Sequence, residues 1–122
     1  MPNGFSTQSG GKTFTLKDSK SGIFGWNQTQ KQSVTATWTV KKRCNVFAFS
    51  LIDIAGDTEY TEVLGQVRLN GEEPPGRVTS AWYKISAIYA FEANPGDVIT
   101  VLSQGKTTKA YGAVNAFIYT DE

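Results

Sequence analysis

An all-β fold, an antiparallel sandwich or barrel of about eight short strands, is what this sequence predicts, on three observations. Apolar residues recur with a period of two from Thr13 onward, turn-forming residues interrupt the chain at short intervals, and no stretch shows the 3.6-residue period of an amphipathic helix. With 122 residues, 39% apolar and 19% charged, the chain suits one domain with its own core and is neither a disordered polyelectrolyte nor a membrane protein.

Residues 1–12 are mostly Gly, Ser, Gln and Asn with a lone Phe5, a composition that forms no core and reads as a flexible arm ahead of a domain over residues 13–122. An ordered arm would need a surface to lie on, and a neighbouring chain is the natural one. Val34, Ala36, Trp38 and Val40 alternate with Thr35, Thr37 and Thr39, which is a strand with one face in a core. Lys41, Lys42 and Arg43 read as a solvated corner at its end. From Cys44 to Ile54 both faces are apolar, so that strand needs cover on both sides. A polar, acidic stretch from Asp53 to Glu62 reads as a loop, and Val63 to Leu69 as a strand with Val67 and Leu69 inward.

Asn70-Gly71 is a hairpin signal because both residues tolerate positive φ, and the following EEPPG cannot lie within a sheet. Ile85, Ala87, Tyr89 and Phe91 mark the next strand. Ala93-Asn94-Pro95-Gly96-Asp97 then turns the chain into Val98–Leu102. Gly105-Lys106-Thr107 reads as a turn, since it lacks the upstream glycine of a phosphate-binding loop, and Ala113–Tyr119 is a last strand that is again apolar on both faces.

Several function classes are disfavoured. A net charge of +1 gives no field to draw a polyanion, so neither nucleic acid nor an anionic membrane is expected as a partner. No apolar run approaches the roughly 20 residues of a membrane span, and MPNGFSTQSGG lacks the pattern of a signal peptide, which points to synthesis in the cytoplasm. The sequence has no histidine, which removes the commonest general base, the Ser-His and Cys-His pairs and the usual zinc ligands. No catalytic residues and no cofactor are expected. Cys44, the only cysteine, opens an apolar strand and reads as a buried structural thiol.

Two weaker site readings stay open. Asp53, Asp57 and Glu59, with Glu62, offer oxygen ligands for calcium, although their spacing matches no EF-hand. Trp82, Tyr83 and Tyr111, like Tyr60, fall in or beside turn-rich segments, where a ring can stack on a sugar face. Together they make a carbohydrate-binding, lectin-like module the alternative reading.

Four segments carry a family resemblance: SVTATWTVKKRCNVFAFSL, VLGQVRLNGEEPPG, AIYAFEANPGDVITVLSQG and the terminal AVNAFIYTD. Their order resembles the short trimeric jelly rolls of the tumour necrosis factor and complement globular-head type, a group that includes viral fibre knobs and capsid-decorating proteins. Asn70, Gly71, Gly96 and Asp97 stand at its turn positions. The resemblance implies a jelly roll, assembled as a homotrimer about an axis lined by apolar side chains. Phe47, Phe49, Tyr89, Phe117 and Tyr119, with Phe5 of the arm, are the interface candidates. It further implies a structural or attachment protein on a virion (phage) surface, a decoration, cement or fibre-knob component whose partners are its own copies, other capsid proteins and possible cell-surface glycans. No collagen-like or coiled-coil stretch precedes the domain, which favours a knob or decoration over a long fibre.

Overall fold

Strands begin two residues into the part of the chain described by the computed structural model, which covers residues 13–25, 32–56, 61–78, 85–107 and 110–122. They are β1 (Thr15–Phe24), β2 (Gln32–Thr39), β3 (Cys44–Gly56), β4 (Thr61–Leu69), β5 (Ile85–Ala93), β6 (Val98–Thr107) and β7 (Ala110–Thr120). All pairings are antiparallel. One sheet has the order β1-β7-β3-β5 and the other β2-β6-β4. Each successive strand therefore crosses to the opposite sheet, which is the winding of a jelly roll.

The alternation legible in the sequence sets which side chains meet between the sheets. Val46, Ala48 and Ile52 of β3, Phe91 and Ala93 of β5 and Val114, Ala116 and Ile118 of β7 face Ala36 of β2, Val67 of β4 and Ile99 and Val101 of β6, all of them buried. Two buried hydroxyls bridge the layers, Ser50 donating to Ser103 at 2.9 Å. At one end Phe24 packs on Ile52 and Val114. Its ring occupies the space that side chains at Gly105 and Gly112 would fill.

Both glycine turns form as expected. Asn70 and Gly71 have φ of 54° and 82°, and Leu69 and Glu72 exchange both backbone hydrogen bonds around them. Pro95 and Gly96 (φ 91°) turn β5 into β6, with Asp97 N–H donating to Asn94 C=O at 3.0 Å. The two turns are tied together: Asn70 Nδ2 donates to Asp97 Oδ1 at 3.0 Å, and Val98 N–H donates to Asn70 Oδ1 at 2.8 Å. Thus Asn70 and Asp97 join the two turns. Beyond EEPPG the chain lies against the edge of β5, where Val78 N–H donates to Ile88 C=O and Ala90 N–H to Gly76 C=O.

Seven strands lie among the described residues, in keeping with the sandwich of about eight that the sequence predicts. Two sequence expectations need correction. Gly105-Lys106-Thr107 is not a turn but the end of β6; all three pair with β4, Gly105 pairs with β2 as well, and Gly105 is buried where the Phe24 ring needs room. The acidic stretch is not one loop, since Asp53–Gly56 continues β3 and Thr61-Glu62 opens β4.

Candidate assembly face

The two sheets cover one face each, so the outward side of β1-β7-β3-β5 must meet either water or another molecule. In β3 the residues between the inward ones are Phe47, Phe49 and Leu51, and in β7 they are Asn115, Phe117 and Tyr119. Register aligns these sets. Phe47 stands opposite Tyr119 and Phe49 opposite Phe117, while across the other edge Ile88 pairs with Phe49 and Ala90 with Phe47. Side chains at such opposed positions are direct neighbours. The Phe49 and Phe117 rings stack at 4.9 Å and 27°, Phe47 leans on Phe49 at 5.5 Å and 58°, and Tyr119 lies parallel to Phe49 at 6.3 Å.

All four rings stay partly exposed although they contact one another. Leu16, opposite Tyr119 on β1, is 48% exposed and Ile23 farther along the same edge is 78% exposed. Phe14, Phe47, Phe49 and Tyr119 line a recess of about 470 Å³ on this face. Charge lies toward the ends of the sheet: Asp53 of β3 is exposed at one end, and at the other Arg43, just before β3, pairs with Glu92 of β5 at 2.5 Å. The face around Phe47, Phe49, Phe117 and Tyr119 is thus aromatic and uncharged, with Asn115 as a polar neighbour on β7.

Of the sequence-predicted interface residues, Phe47, Phe49, Phe117 and Tyr119 come together on this face. Tyr89 does not. The alternation of β5 turns it inward with Phe91, where it is 6% exposed and its hydroxyl donates to Glu73. Burial first, then that hydrogen bond and the Glu73 charge, raise the Tyr89 pKa above its usual value. Phe5 lies outside the described residues. Sequence reading missed Phe14, Leu16 and Ile88, although Phe14-Thr15-Leu16 carries the same period-two signal.

Most of the carbohydrate and calcium candidates fall outside the described residues. Trp82, Tyr83, Asp57, Glu59 and Tyr60 lie outside the described residues. Tyr111 is 55% exposed near the start of β7, opposite Ala55, in a strand and not a loop. Among the described residues no three His, Cys, Asp or Glu side chains are grouped to hold a metal ion. Cys44 is buried, and burial, with Glu122 and Asp121 nearby, pushes its thiol up to about 12.

No protein-family model, no curated protein and no solved structure matches this chain. Among the described residues no helix is long and apolar enough to cross a membrane.

A second cluster closes the sandwich at the end where β7 finishes. Asn45 N–H and Nδ2 donate to the two carboxylate oxygens of Asp121 at 2.7 and 3.0 Å. Glu122 accepts from Trp38 Nε1 at 2.5 Å and from the backbone N–H groups of Lys41 and Lys42 at 3.1 Å. Lys17 and Lys41 place their ammonium groups 5.5 and 5.2 Å from the Trp38 ring centre. This cluster secures the chain end and makes Lys41-Lys42-Arg43 a tethered corner. Nothing local in the sequence announces it, because its partners lie some 80 residues apart.

Proposed function

We propose that this chain is a non-enzymatic structural or attachment module that assembles with copies of itself through the outer face of β1-β7-β3-β5. The observation that supports it is the continuous aromatic surface of Phe47, Phe49, Phe117 and Tyr119 on a sheet whose other side is already filled by core. Large contiguous apolar patches on a folded domain mark interaction surfaces. An uncharged centre lets copies of the chain pack together there without burying unpaired charge.

The resemblance to trimeric jelly rolls supplies the number three and the setting, a virion-surface decoration, cement or fibre-knob protein. The face proposed for this contact is the outward side of the sheet that holds β1 and β7. The test is Phe117→Asp, which puts a charge at the centre of the face and none in the core. The variant is expected to keep its strand spectrum and run as single chains at a concentration where the parent is assembled. An unchanged assembly state in a folded variant contradicts the reading.

A further inference from the structure

The recess of Phe14, Phe47, Phe49 and Tyr119 sits where the described chain begins. β1 lies at the edge of its sheet, with Leu16 opposite Tyr119, and β3 lies beyond β7. Phe14 nevertheless lines the same recess as Phe47 and Phe49 of β3. The chain therefore reaches its edge strand from above the aromatic face, and whatever precedes Phe14 approaches along that face.

Residues 1–12 carry a single aromatic ring, Phe5, with Met1 and Pro2 ahead of it and otherwise Gly, Ser, Thr, Asn, Gln and Lys. One ring can fill one recess but cannot also cover Phe117, Leu51 and Ile88. On the assembly reading a folded neighbour covers the rest of the face, and the segment lies beside that neighbour. The nine residue steps from Phe5 to Phe14 span at most about 30 Å when extended, about the diameter of a small domain. The polar remainder suits the wet rim of an interface, and the ring suits its dry centre.

We propose that residues 1–12 of one copy run along the seam between assembled copies and seat Phe5 in the recess formed by Phe14, Phe47, Phe49 and Tyr119 of the neighbour. This inference rests on the assembly reading and adds to it the segment that fills the recess. It makes the contact an exchange of arms, so that each copy both gives and receives an anchor.

The experiment places the photoreactive residue p-benzoylphenylalanine at position 5 of the full chain and irradiates the protein in solution. Covalent species at multiples of the chain mass are expected, with the linkage mapping to the four recess residues. Linkages to those residues found only within single chains would overturn the proposal, because the segment would then be folding onto its own copy. Linkages elsewhere, or none, would overturn it as well. The mass of the unirradiated protein separates the two failures. An assembled protein with misplaced linkages loses only the arm contact, whereas a monomer loses the assembly reading and this inference together.

Discussion

Phe49 of β3 stacks on Phe117 of β7 with 4.9 Å between ring centroids, on the side of the sheet that faces away from the core. One residue farther along β7, Ile118 is fully buried between the sheets. Neighbours in sequence thus serve two different surfaces, one internal to the fold and one available to a partner. The two surfaces can be perturbed separately, and the predictions below use that separation.

Ile118→Ala removes core packing and leaves the outer face intact. The expected loss is about 2–5 kcal/mol of folding stability, read as a large fall in denaturation midpoint, while the native protein keeps the parent's assembly state. Loss of assembly from a still-folded Ile118→Ala protein would show that the two faces are not independent.

Acid should weaken the fold through Glu122. Burial tends to raise its pKa, but the hydrogen bonds from Trp38, Lys41 and Lys42 and the nearby Lys17 outweigh it, so the folded carboxyl lies below 4.5. A depressed carboxyl stabilises the fold fully above the unfolded value, and that contribution is lost as pH falls through the folded one. Asp18 acts in the same direction through its hydrogen bond from Lys20 and that of Thr37 N–H. Stability is expected to hold above about pH 5 and fall below it. Glu122→Gln should cost about 1–2 kcal/mol at neutral pH, discounted for partial exposure, and should flatten the acid limb of a melting-temperature profile. An acid limb identical to the parent's would remove Glu122 from the account.

Alkali should act through the opposite shift. The Cys44 thiol, at about 12 in the fold against 9.0 for an ordinary thiol, favours the folded state below pH 9, and that advantage is lost as pH rises from 9 toward 12. At pH 8 a thiol reagent should therefore leave the native protein unmodified and label one thiol per chain after unfolding. Rapid labelling of the native protein would contradict the buried position of Cys44.

Gly112→Ala tests the end of the core around Phe24. A Cβ there meets the backbone oxygen of Asp53 and the Phe24 ring, and the backbone oxygen cannot rotate away. Overpacking of this kind costs about 1–3 kcal/mol, or a melting temperature lower by about 5–15 °C for a domain of this size. A neutral substitution would mean that β3 and β7 separate more easily here than their register implies.

Most of the fold was legible because its determinants are local. Period-two alternation placed β2, β3, β5 and β7, and Asn70-Gly71 and Pro95-Gly96 placed the turns at the ends of β4 and β5, since positive φ is a property of the residue itself. The double-sided apolar character of β3 and β7 pointed to an outward aromatic face before any register was known. Less legible was anything set by sheet order. Tyr89 looked outward only because alternation does not say which phase faces the core, and Gly105 looked like a turn because the ring that excludes its side chain is 81 positions away on Phe24. The Trp38–Glu122 contact joins residues 84 apart, and no local pattern marks such a pair.

The central claim is tested most directly by the mass of the native full chain in solution, measured by light scattering on a size-exclusion column at micromolar concentration. The assembly account predicts a single species of three times the 13.3 kDa chain mass. A species of one chain mass, with its aromatic face open to water, would contradict it.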